Sequence, residues 1–135
     1  MNPDFKVLKS EILALHRRGI DTHLNKNVDF FIRDISENYL SVSNGEIHKP
    51  TLEEIKTQFT NYLNNTIFTE YKDLCEPIIG FSNDGSIAWY IVQVKGEHSI
   101  DDGSERELDF ICAWITLFKQ LDDKWIRLGD VSTFK

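Results

Sequence analysis

Between Leu108 and Phe118 the chain reads LDFICAWITLF, apolar at almost every position. A strand with one face on a core and the other in water alternates apolar and polar residues, and this stretch does not. A buried helix does not fit either. The step Leu121-Asp122-Asp123-Lys124-Trp125 turns the chain tightly into a second apolar run, as a β-hairpin does. A strand that is apolar on both faces needs a cover on each, because an exposed apolar patch of that size is rare on a monomer.

The preceding residues can supply one cover. Phe5, Leu8, Ile12 and Leu15 recur at helical spacing, and Ile20 and Leu24 continue the stripe, predicting an amphipathic helix of about 20 residues. Asn2-Pro3 reads as its cap and first position. Gly19 marks a bend or a close contact within it. Val28, Phe31, Ile32 and Ile35 suggest a second, short helix, Tyr39 to Val42 a short strand, and Ser43-Asn44-Gly45 a turn. Thr51-Leu-Glu-Glu54 is a capping box opening a third helix to about Leu63, with Leu52, Ile55, Phe59, Tyr62 and Leu63 inward. The rest reads as four long strands: Ile67 to Phe81, with Pro77 implying an edge or bulge, Ile87 to Lys95, Glu107 to Leu121 and Trp125 to Thr133. Asn83-Asp84-Gly85 is a turn, and Gly96 to Ser104 a polar connection turning at Asp102-Gly103. Helices first and antiparallel strands after make the class α+β. Residues 1–135 form one domain in this reading.

Composition narrows the partners. Hydrophobic residues make up 41% and charged residues 27%, as in globular chains rather than disordered ones. The net charge is −7, and His16-Arg17-Arg18 is the only basic cluster; such a field repels nucleic acid. No segment has the length and apolarity of a membrane span or the pattern of a leader, so a cytoplasmic location without membrane attachment is expected. Cys75 and Cys112 sit in apolar segments without metal-ligand spacing and read as reduced core residues. No phosphate loop, nucleophile elbow, Cys-x-x-Cys or calcium loop is present, so no cofactor and no metal is expected.

The order of elements, with Lys26-Asn-Val-Asp-Phe-Phe-Ile32, Tyr39-Leu-Ser-Val-Ser-Asn-Gly45 before the capped helix, and the closing Asp123-Lys-Trp-Ile-Arg-Leu-Gly-Asp-Val-Ser132, resembles the nuclear transport factor 2-like (cone-fold) superfamily. Its SnoaL-like bacterial members are the nearest in pattern. The resemblance spans essentially the whole chain. It implies three helices from the N-terminal half packed on a strongly curved, mostly antiparallel sheet that surrounds an apolar pocket. It also implies a use for both faces of the opening stretch: Leu108, Phe110, Cys112 and Trp114 toward the pocket, and Ile111, Ala113, Ile115 and Leu117 toward a second copy in a homodimer. Such a fold serves many functions and specifies none.

Steroid isomerases of this superfamily place a carboxylate base, a tyrosine and a protonated aspartate at three positions. An ungapped register brings these to Ser43, Gly19 and Cys112, none of which can do that work. Other candidates remain. His16 and His23 lie seven residues apart on one side of the first helix, as general acid/base candidates. The plainer reading makes them boundary histidines, bonded to a backbone carbonyl or to solvent; on the catalytic reading, His16→Ala and His23→Ala abolish turnover and leave thermal stability nearly unchanged. Asp130, after Gly129, is either a pocket carboxylate paired with a first-helix histidine or a solvent-facing residue. Glu97 and His98 read as a solvated turn and His48 as surface. Phe59, Tyr62, Trp89, Phe110, Cys112 and Trp114 are the expected ligand-contacting residues, and the alternative is that the same aromatics fill the core. Three functions follow: a binder of a small apolar or amphipathic molecule, an isomerase, cyclase or dehydratase using a first-helix histidine as base, or a non-catalytic dimerisation domain.

Overall fold

The computed structural model describes residues 3–100 and 107–135. The expected cap at Asn2 and turn at Asp102-Gly103 lie outside them, as does the side chain of Leu108. Helix α1 spans Phe5–Asn25 and is capped by Asp4, whose carboxylate accepts from the backbone N–H groups of Lys6 and Val7. The cap is thus an aspartate two residues after the expected asparagine, and Pro3 precedes it. Lys26, in the left-handed conformation, ends the helix with its N–H on the Thr22 carbonyl. Helix α2, Val28–Ile32, is five residues long, and α3 spans Leu52–Asn64. The helical layer is therefore two full helices with the single-turn α2 between them, so the expected count of three holds only if that turn is included. The capping box of α3 forms as its sequence implies: Thr51 Oγ1 accepts from the Glu54 N–H at 3.1 Å.

Seven strands follow the order β2-β1-β7-β6-β5-β3, with β4 also paired to β5. They are β1 (Ile35–Ser43), β2 (Glu46–His48), β3 (Thr66–Asp73), β4 (Ile78–Phe81), β5 (Ile87–Ile100), β6 (Glu107–Leu121) and β7 (Lys124–Phe134). All pairs are antiparallel except β1 with β7. The single extended stretch expected from Ile67 to Phe81 breaks into β3 and β4. Pro77 lies in the gap, and both pieces pair with β5. Glu97 and His98 are not in a turn: β5 runs through them, pairing Glu97 with Asp109 and His98 with Leu108. Irregularities in β1–β7, β3–β5 and β6–β7 interrupt the ladders and bend the sheet.

The turn that closes the opening stretch is a two-residue hairpin. Asp122 and Asp123 have φ of 50° and 62°, and Leu121 pairs with Lys124. Aspartate tolerates positive φ better than most residues with a Cβ. The core lies where α1 crosses the inner sheet face. Ile12 is packed with Ala88, Tyr90, Val92, Phe118 and Trp125. Along β6, Cys112, Thr116 and Phe118 are buried while Leu117 is 40% exposed. The two faces of the strand thus differ in burial, and α1 covers only the even-numbered one.

Candidate active-site cavity

Beyond this core the inner sheet face and the helices leave a cavity of about 600 Å³. Phe59, Tyr62, Phe110, Cys112 and Trp114 line it, as do His16, His23 and Asp130. Its walls are mainly apolar, with aromatic rings prominent among them. Gly96 permits this on one side, because a Cβ there would meet the Phe110 ring at 2.4 Å.

Trp89 does not line the cavity. Partners across a ladder share a face, and β5 pairs Val92, not Trp89, with Trp114. Trp89 pairs with Leu117 on the outer face, where its ring covers Gly80.

His16 is 2% exposed and therefore not a boundary residue. Its Nε2 lies 2.6 Å from Asp73 Oδ1. A carboxylate only accepts, so Nε2 carries the hydrogen, and in the neutral ring Nδ1 keeps its lone pair. Nδ1 has no hydrogen-bond partner among the described residues. The ring is set by edge contact with Tyr90, centroids 5.3 Å apart, and by Trp114 at 6.1 Å. A carboxylate that holds one nitrogen of an imidazole whose ring lines an apolar cavity is the orienting half of a base–carboxylate dyad.

His23 has a different environment. Its Nδ1 donates to the Gly19 carbonyl at 2.8 Å, and its ring stacks on Tyr71 with centroids 4.0 Å apart. Burial lowers its pKa to about 4, against which the Gly19 bond acts only in part. Asp130 accepts from the Tyr39 hydroxyl and, at 2.8 Å, from Ser41 Oγ. Its partners are thus two hydroxyls of β1 and not a first-helix histidine. Burial, and then the Asp130 charge, push the Tyr39 phenol far above its ordinary range, so it stays a donor. Burial likewise pushes the Cys112 thiol up to about 11, with Asp130 adding to it. Cys75 is exposed rather than in the core, and both cysteines are free.

Asp73, Tyr39, Ser41 and Arg127 are the polar groups that sequence reasoning missed. Asp73 carried a signal: it lies two residues after Tyr71, on the same face of β3, where Tyr71 is buried. Among the described residues no group of three or more His, Cys, Asp or Glu side chains is placed to hold a metal ion. No described helix is long and apolar enough to cross a membrane.

No family model matches the chain, and no curated protein matches it closely enough in sequence to count as a relative. Solved structures do resemble it. A nuclear transport factor 2-like superfamily protein from Salmonella enterica serovar Typhimurium superposes with a TM-score of 0.78 at 11% identity, covering 96% of this chain and 92% of that one. An NTF2-like protein from Cytophaga hutchinsonii gives 0.72 at 15% identity, covering 93% and 96%. A type 2 hexachlorocyclohexane dehydrochlorinase, LinA, gives 0.74 at 12% identity, covering 98% and 90%. At these identities the likeness is one of fold: the chain has the NTF2-like, α+β architecture.

Proposed function

We propose that this chain binds a small apolar or amphipathic molecule in the aromatic cavity and removes a proton from it with His16. The observation that carries the reading is the 2.6 Å contact between His16 Nε2 and Asp73 Oδ1 in a ring that lines the cavity; in this proposal Nδ1 is the nitrogen offered to the ligand. As Nδ1 takes a proton, the ring becomes an imidazolium, and the Asp73 carboxylate beside it stabilises that charge. Asp130, already held by Tyr39 and Ser41, has lone-pair capacity left for a hydroxyl or amine of the ligand. It orients the molecule opposite His16 in a mainly apolar space. His23 has no part in proton transfer here, since its hydrogen is committed to Gly19 and its ring to Tyr71. Isomerisation, cyclisation and elimination all begin with such a proton removal. One protein of the same fold is a dehydrochlorinase, which fits a base in a cavity of this kind.

We further propose a homodimer through the outer sheet face. Ile91, Ile115 and Val131 stand side by side across β5, β6 and β7. With Ile111, Ala113 and Leu117 they form an apolar face that no described helix covers. Ile91, Leu117 and Val131 are 40–48% exposed, and a second copy supplies the missing cover.

Native mass spectrometry of protein purified from its own cells tests the cavity reading. The expected species carries a small molecule, which Ser132→Trp, filling the cavity, excludes. Protein that retains no ligand, and that binds no member of a panel of aromatic alcohols and ketones at millimolar concentration, would contradict it.

A further inference from the structure

A second, smaller cleft lies between α1, α2 and the sheet, and the cavity chemistry makes no use of it. It encloses about 90 Å³, lined by Arg18, Arg33, Arg127 and Asp34 against apolar surface that includes Phe30 and Trp125. Three guanidinium groups face one carboxylate, in a chain whose net charge is −7.

The guanidinium carbons of Arg18 and Arg127 each lie 5.1 Å from the centroid of the Phe30 ring, so the two charges are within about 10 Å of each other. Among the described residues neither is in an ion pair with a carboxylate. Arg33 meets Asp34 only at 3.9 Å, with the arginine side chain 64% exposed. The two cations on the Phe30 ring repel each other, and Asp34 is the one carboxylate that lines the cleft with them. Guanidinium groups present paired N–H donors that match the oxygens of a phosphate. The cleft has room for one tetrahedral oxyanion.

We propose that this cleft binds a phosphate group, held by Arg18, Arg33 and Arg127. Arg127 lines both the cleft and the large cavity. An anion in the cleft therefore fixes a guanidinium that forms part of the cavity wall. The phosphate is either the free ion or the head of an organic molecule whose body passes Arg127 into the cavity. The inference stands apart from the His16–Asp73 chemistry and survives if that reading fails.

Isothermal titration calorimetry with inorganic phosphate and with phenyl phosphate, at ionic strength matched with chloride, tests it. Wild-type protein should bind phosphate saturably, and Arg18→Gln and Arg33→Gln should each weaken binding about tenfold or more. Arg17→Gln, on the same helix but outside the cleft, should bind as wild type does. Thermal melts without phosphate establish that each variant is folded, and the exposed Arg33 is the safer of the two positions. Tighter binding of phenyl phosphate identifies the head of an organic ligand, and binding of inorganic phosphate alone identifies the free ion. No saturable binding of either, or equal binding by wild type and both cleft variants, overturns the proposal.

Discussion

His16 Nε2 and Asp73 Oδ1 meet at 2.6 Å and so join the middle of α1 to the last residue of β3 across 57 positions of sequence. The histidine is all but sealed from water while the aspartate side chain is 29% exposed. The pair therefore contributes to stability as well as to any chemistry. Asp73→Asn keeps the shape and weakens the bond, at about 1–2 kcal/mol. His16→Ala also removes a buried ring, and should cost about 3 kcal/mol or more. Urea unfolding measures both. Losses under about 0.5 kcal/mol in each would mean that the pair is not formed.

His23 gives the fold a pH dependence. Its folded pKa, about 4, lies below the ordinary 6.5. Above pH 6.5 the ring is neutral in both states and its contribution is complete. As the pH falls from 6.5 toward 4, the unfolded chain takes up a proton that the folded chain refuses, and stability is lost. Between pH 7 and 4.5 this amounts to on the order of 2 kcal/mol. The wild type should lose that much more than His23→Gln over the same interval in urea melts. Parallel losses in the two proteins would contradict the assignment.

The two thiols should separate by reactivity. Cys75 is exposed, whereas Cys112 is 5% exposed with its pKa pushed up to about 11. The thiolate is the reacting form. Iodoacetamide at pH 8 should therefore label Cys75 in the native protein and Cys112 only after unfolding, as peptide mass spectrometry reads directly. Native labelling of Cys112 at the rate of Cys75 would show that the cavity wall opens freely.

The outer face of β6 predicts the state of assembly. Light scattering after size exclusion should return twice the 15.7 kDa chain mass. Leu117→Lys places a charge at a position already 40% exposed, so it should halve that mass and leave the fold intact. A wild-type monomer at micromolar concentration would remove the dimer from the account.

What could be read from the sequence divides along physical lines. The start of α3 is legible because its cap is local: Thr51 and Glu54 lie within one turn and satisfy each other. The two faces of β6 are legible because side chains alternate whatever the strand pairs with. Trp89 is misplaced for the opposite reason. Its face depends on the β5–β6 register, which pairs it with Leu117 instead of Trp114, and composition does not disclose register. The His16–Asp73 contact is hidden in the same way. It requires β3 to end at Asp73 instead of running on to Phe81, and it requires α1 to cross that end. Asp130 is recognisable as a cavity carboxylate, but its Tyr39 and Ser41 partners arise from the parallel β1–β7 pairing, in which Ser41 stands opposite Asp130.

In the proposed chemistry His16 offers a bare Nδ1 to the cavity ligand while Asp73 holds the hydrogen on Nε2. Long-range ¹⁵N–¹H correlation spectra of the histidine rings distinguish the tautomers, recorded at neutral pH with and without an aromatic alcohol that fills the cavity. His16 should show the Nε2–H tautomer, lost selectively in Asp73→Asn, with an Nδ1 resonance that moves as the cavity fills. A hydrogen on Nδ1, or an Nδ1 resonance indifferent to the bound alcohol, would contradict it.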